Sequence, residues 1–251
     1  MIRKIFIKLI ILVGISNVAL ADNVNNINWI AQNYMPYSYV NQNSENTGMA
    51  IDIAVAIMQQ IGSNQNAQNI QVHDFSRSFI RSNNNTDTVF FPLLKLPARA
   101  SYFIWVGPID TYKPVLFAKK SSNIVLNNLS SDIQNYIIAG KDGDNGVDQL
   151  EDLNVSSSSI TTSSSDEANI IKLKNGEVNL VVCNEASGLA IMKKLGINPK
   201  DYQVVYRLQE NGLYFAFNND TSNDLIVKVQ QAFDSIKASK EYDQIRKKYE
   251  N

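Results

Sequence analysis

The chain has 251 residues, with 23 basic and 24 acidic side chains, one His and one Cys. Such a balance supplies no field to hold nucleic acid or an anionic membrane, so a small neutral or zwitterionic molecule is the easier partner. A lone Cys183 rules out an intramolecular disulfide, and a lone His73 disfavours a metal cluster or a Ser-His-Asp relay; no cofactor is expected.

The chain opens with Arg3, Lys4 and Lys8 ahead of an apolar run centred on residues 9–15, then Ala19-Leu20-Ala21. This is the pattern of a cleaved secretory signal, residues 1–21, and the run is well short of the roughly 20 apolar residues of a spanning helix. About 230 residues remain, enough for one large α/β domain or two small ones. Without a disulfide, that fold must rest on core burial even in an oxidising compartment.

Ile27 to Ala31 reads as a strand, and Tyr34-Met35-Pro36-Tyr37 turns out of it. After Gly48, the apolar residues Ile51, Ala54, Val55, Met58 and Ile61 recur at helical spacing until Gly62. Ile70 to Val72 is a short strand followed by Phe75 and a helical stretch over 77–81, and 83–85 reads as a surface turn. The run TVFFPLL, 88–94, is apolar throughout, which suits a strand buried on both faces. Arg99 then sits in a polar turn between apolar segments, with Trp105 and Tyr37 reading as core.

From Lys113 the order repeats as strand (114–120), strand (136–139), Gly loop (141–146) and helix (147–153). The serine-rich run 156–165 is expected to be ordered, as an edge strand leading to an N-cap for a helix from Asp166. Asn179 to Cys183 is a buried strand with Asn184 and Glu185 at its carboxyl end, and strands over 204–208 and 213–217 follow. Two helical patterns close the chain, the first behind Ser222 as N-cap. The alternation implies two α/β layers, and in open sheets ligands lie beyond the carboxyl ends of strands, where Tyr34, Phe75, Arg99, Gly143 and Glu185 fall.

YMPYSY, TGMAIDIAVAIMQQIG, LPARASYFIWVGPI, the GDN loop and the terminal EYDQIRKKY occur in an order that resembles the family 3 solute-binding proteins. These are the periplasmic receptors of polar amino acid ABC importers. The resemblance implies an α/β fold of two lobes, each a mixed, mostly parallel sheet flanked by helices, with two hinge crossovers. Lobe one takes 22–112 plus 216–251 and lobe two 113–215, with crossovers near 110–113 and 212–215. It implies a periplasmic monomer that closes on a small carboxylate-bearing solute, an amino acid or a relative, and delivers it to an inner-membrane ABC permease.

By the same resemblance Arg99 holds the ligand carboxylate, Tyr34 and Phe75 cover it, and Asp144 and Asn145 belong to the loop that supplies donors from lobe two. Asn184 stands where the family carries an aspartate for the ligand ammonium, so Glu185 substitutes or the ligand lacks a free α-amino group. Leu94 lies in a run, 92–97, that replaces the hydroxyl-rich segment of relatives and leaves recognition to backbone amides, Arg99 and shape. Two rivals share the fold: an exported cyclohexadienyl dehydratase, for which Glu185 is the one acid or base in view, and a sensory module.

Overall fold

The computed structural model describes residues 24–250; the expected signal segment lies outside them. In chain order the elements are β1 (Asn28–Gln32), β2 (Tyr39–Val40), β3 (Asn46–Thr47), α1 (Met49–Gln60), β4 (Gln71–His73), α2 (Phe75–Asn84), β5 (Thr88–Leu94) and β6 (Phe103–Tyr112). Then come β7 (Pro114–Lys119), α3 (Leu129–Asp132), β8 (Ile138–Lys141), α4 (Asn145–Asp152), β9 (Ile160–Ser163), α5 (Asp166–Asn175), β10 (Leu180–Asn184) and α6 (Glu185–Lys194). The chain closes with β11 (Tyr202–Arg207), β12 (Asn211–Asn218), α7 (Asn223–Lys237) and α8 (Lys240–Glu250).

Two five-stranded sheets result, in the orders β4-β1-β5-β12-β6 and β11-β7-β10-β8-β9. The central strands are buried and mostly apolar because helices cover both faces. In the first sheet Trp29, Ala31 and Phe91 point toward α1 and α7, whereas the alternate residues Ile30 and Phe90 pack with Phe75 and Phe79 of α2. The second sheet repeats this. Val181 and Cys183 meet Ile170, Leu173 and Met192 of α5 and α6, and Leu180 and Val182 meet Val147 and Leu150 of α4.

The helices begin at side-chain caps that the sequence carries. Asp74, Asp144, Ser165 and Ser222 accept from backbone N–H groups at the starts of α2, α4, α5 and α7. The serine-rich run forms edge strand β9, parallel to β8, and ends in the Ser165 cap. The residues expected as a surface turn, 83–85, differ: α2 runs through to 84.

Each sheet has two parallel and two antiparallel pairings and is not mostly parallel. The reason is the route between sheets. β6 passes into β7 through Lys113 alone, with no covering helix, so both join their sheets antiparallel. The return connection lies at 208–210, earlier than the sequence reading of 212–215, because 211–218 is already paired with β6. The terminal helices lie on the first sheet's side, where the Tyr249 and Lys248 side chains both donate to Asp52 of α1 at 2.8 Å.

Gly48 sets the entry to α1. Its φ is +128°, and a Cβ there would sit 2.3 Å from the Tyr37 carbonyl oxygen. Gly62, at φ +78°, has open space around it. Gly48→Ala is therefore expected to cost more than Gly62→Ala, by about 1 to 3 kcal/mol for the added strain. In a chain of this size that is a melting-temperature difference of about 2 to 4 °C per kcal/mol by circular dichroism. Equal losses would show that the contact with Tyr37 is not the determinant.

Candidate functional site

A cleft of about 1200 Å³ runs between the two lobes. Strand ends build both walls, as open α/β sheets arrange. From the first lobe, β1 leads to Tyr34, β4 to Phe75 at the start of α2, and β5 to Leu94 and then Arg99 in a 3-10 turn over 97–102. From the second, β8 leads to the Lys141–Asn145 loop, and β9 leads to Asp166 at the start of α5.

Arg99 is half-buried, and its guanidinium carbon lies 5.5 Å from the centroid of the Phe75 ring. Its side-chain N–H groups make no hydrogen bond or ion pair among the described residues. Partial burial depresses its pKa below the usual guanidinium value, while Asp148, across the cleft on α4, opposes that shift. Such a group, planar and already partly dehydrated on an aromatic face, is suited to two parallel bonds with a carboxylate.

Tyr34 is buried and stacked on Tyr37, with centroids 5.4 Å apart, and the Lys141 ammonium lies 6.0 Å over its ring. Phe75 stacks on Phe79 and forms the wall behind Arg99. In the facing loop the Asp144 carboxylate caps α4 by accepting from Gly146 N–H at 2.9 Å, and it accepts the Tyr112 hydroxyl at 2.5 Å. That second bond ties the end of β6 to the second lobe. Asn145 accepts from Gln149 at 2.8 Å and from Asn211 at 3.2 Å, so its carbonyl oxygen faces the second connection.

The structure thus brings six of the eight sequence-derived residues together around one cleft: Tyr34, Phe75, Leu94, Arg99, Asp144 and Asn145. Asn184 and Glu185 line an adjoining, smaller groove of about 490 Å³, which meets the cleft at Met35, Tyr39 and Lys194. Asn184 is fully buried, accepting from Lys113 N–H at 3.0 Å and donating to the Tyr37 hydroxyl at 3.2 Å. It thereby clamps the first connection. Glu185 accepts two bonds from Arg207, at 2.6 and 2.9 Å, and these hold its carboxyl below the usual range.

Asp166 is the residue that the sequence reading passed over as a plain helix start. It is buried, lines the cleft, and its Oδ1 has no hydrogen-bond partner among the described residues. Burial, and then the nearby Asp144 carboxylate, push its pKa up to about 7, against a smaller opposing pull from Lys141. Asp144 is likewise raised, chiefly by burial. The strand-end rule applied to β9 as well as β8 would have found it. Among the described residues no group of three or more His, Cys, Asp or Glu side chains is placed to hold a metal ion.

The family model for bacterial extracellular solute-binding proteins, family 3, matches residues 28–251. The chain belongs to that family, and the two sheets flanked by helices are its periplasmic binding protein-like fold. Among solved structures it is similar to a histidine kinase sensor domain with similarity to periplasmic binding proteins, at TM-score 0.77 and 15% identity over 90% of this chain and 96% of that one. It is also similar to an ABC uptake transporter substrate-binding protein from Streptococcus pneumoniae with bound histidine, at TM-score 0.74 and 18% identity over 90% and 94% of the two chains. A third is the arginine-, lysine-, histidine-binding protein ArtJ from Geobacillus stearothermophilus, at TM-score 0.68 and 18% identity over 88% and 94%. Comparison with curated protein sequences found no match.

A carboxyl whose pKa is raised on folding keeps its proton in the fold over a range where the unfolded chain has lost it, so stability falls as pH rises through that range. For Asp166 the range runs from the ordinary carboxylate value to about 7. Asp166→Asn is therefore expected to melt higher than the parent at pH 8, with the gain shrinking toward pH 4. A gain independent of pH would contradict this ionisation.

Proposed function

We propose that this solute-binding protein is exported through cleavage after Ala21 and captures a small carboxylate-bearing solute in the cleft. The observation that carries this reading is the Arg99 guanidinium, open to the cleft, backed by Phe75 and without a protein partner among the described residues. Tyr34 and Leu94 wall the site, and the start of α4 at Asp144 and Asn145 offers its helix N-terminus to the same anion.

The solute binds the first lobe, residues 22–112 and about 211–251, and the second lobe, about 113–208, closes over it about the two connections. Closure is favoured because only the closed state lets one ligand touch both walls. The neighbours that bind histidine, arginine or lysine support an amino acid or a relative as the solute. The protein then acts as a monomer that delivers its solute to an inner-membrane ABC permease. No catalytic step is assigned: Glu185, the acid or base that a dehydratase reading would need, is held by Arg207 outside the cleft.

The sensor-domain neighbour supports a second reading, in which the same cleft reports a solute without transporting it. Loss of solute uptake in a deletion strain distinguishes delivery from sensing.

Thermal shift with amino acids, diamines and small organic acids tests the capture reading, since a ligand of the folded state raises the melting temperature by mass action. Arg99→Ala is expected to abolish every shift given by carboxylate ligands while leaving the unliganded melting temperature within a few degrees. Glu185→Gln is expected to leave the shifts in place. Shifts from diamines alone, unaffected by Arg99→Ala, would overturn the carboxylate assignment.

A further inference from the structure

The floor of the cleft, where the first lobe meets the starts of α4 and α5, holds polar atoms that binding of a carboxylate leaves unpaired. Asp166, Asp144, Tyr34, Tyr112 and Lys141 line it, and Ser187, in the first turn of α6, lies just behind. Among the described residues Asp166 Oδ1, the Tyr34 hydroxyl and the Ser187 hydroxyl are buried without a properly formed hydrogen bond. Tyr34 and Ser187 nevertheless interact with each other, and Tyr34 feels both carboxylates. One turn along α5, both polar atoms of the fully buried Asn169 are also unbonded. Native interiors leave few such groups, and so many in one place mark a site whose partner comes from outside the chain.

The charges say what that partner is. Two carboxylates face one ammonium, Lys141, and Glu167 beside them is already paired with Lys194 at 2.6 Å. Tyr112 and Cys183 are the other titratable groups at hand, and burial raises the pKa of both, which keeps them neutral. With Asp144 and Asp166 both ionised, the floor lacks one positive charge. Water supplies poor compensation there, because Asp166 is only 6% exposed.

We propose that Asp166, supported by Asp144 and the Tyr34 and Ser187 hydroxyls, is a subsite for a protonated primary amine, so that the captured solute carries both a carboxylate and an ammonium. The amine site is thus in the floor at the start of α5 and not at position 184, whose side chain is committed to Lys113 and Tyr37. This rests on the Arg99 reading for the other end of the solute. It also resolves the missing acidic partner at 184 without requiring a ligand that lacks an amino group.

The arrangement couples capture to a proton. In the unliganded protein Asp166 holds a proton for much of the time near neutrality, since burial and Asp144 oppose its ionisation. An incoming ammonium takes over the role of that proton. The Asp166 O–H bond breaks, the proton leaves to solvent, and the carboxylate accepts from the ammonium instead.

Isothermal titration calorimetry with the standard L-amino acids and with their 2-hydroxy acid counterparts, in buffers of different ionisation enthalpy, tests this. At least one amino acid is expected to bind, to release up to one proton at pH 6 and progressively fewer toward pH 8, and to bind at least about tenfold more tightly than its hydroxy acid. Asp166→Asn is expected to weaken the amino acid at least about tenfold and to abolish the release; a lower melting temperature at pH 8 would mark that variant as misfolded and leave the wild-type proton release as the deciding datum. Binding lost in Arg99→Ala but unmoved in Asp166→Asn, with no proton released by the wild type, would overturn the amine subsite and leave the carboxylate reading standing. The reverse pattern would overturn the carboxylate reading alone. Binding of the hydroxy acids in preference to the amino acids, or no binding of any amino acid, would also overturn the subsite.

Discussion

A guanidinium half removed from water, laid on an aromatic face and given no hydrogen-bond or ion-pair partner among the described residues, is an expensive thing to fold around. Arg99 holds that position because a short 3-10 turn at the end of β5 leads it directly over Phe75, itself fixed by the Asp74 cap at the start of α2. Neither residue could be so placed without the buried centre of the first sheet behind them. The cost becomes useful when an anion enters: most of the desolvation of the cation has already occurred, and the fork of donors needs no rearrangement.

The second lobe answers with the opposite charge. Helices α4 and α5 both start at the cleft, and helix starts ordinarily welcome carboxylates. Asp144 exploits this by capping α4, while Asp166, at the start of α5, is buried beyond what its helix can offset, and its pKa is pushed up to about 7. A cation-bearing wall therefore faces an acidic floor. Because β6 passes into β7 through Lys113 alone and β11 into β12 through 208–210, these walls are joined by two short connections. The Tyr112 to Asp144 and Asn184 to Tyr37 bonds cross between the lobes beside them.

Much of the architecture was legible in the sequence because burial on two faces leaves a plain signature. The run 88–94 is a strand over its whole length, and the α1 pattern between Gly48 and Gly62 is a helix. The lining of the cleft was legible where a motif fixed the residue, as with Tyr34, Phe75 and Arg99. Asn184 and Glu185 were less so, since position at a strand's carboxyl end does not say which groove a side chain enters. β10 is the central strand, and its end is sealed by the first connection. Asp166 was hidden by its surroundings, because a carboxylate after a Ser-rich stretch reads as a solvated helix start until the neighbouring loop folds over it. The second connection was read at 212–215, where Gly212 precedes an apolar run, but the pairing of 211–218 with β6 puts those residues inside β12.

Recognition of an anionic head group by Arg99 is tested most directly by the Nε–H resonance of that one arginine in a nitrogen-15 spectrum, assigned by its disappearance in Arg99→Lys. Addition of a binding L-amino acid should move the resonance downfield, as a charge-assisted hydrogen bond forms, and the carboxamide of the same amino acid should leave it in place. An equal response to both compounds, or to neither, would contradict the central role given to this side chain.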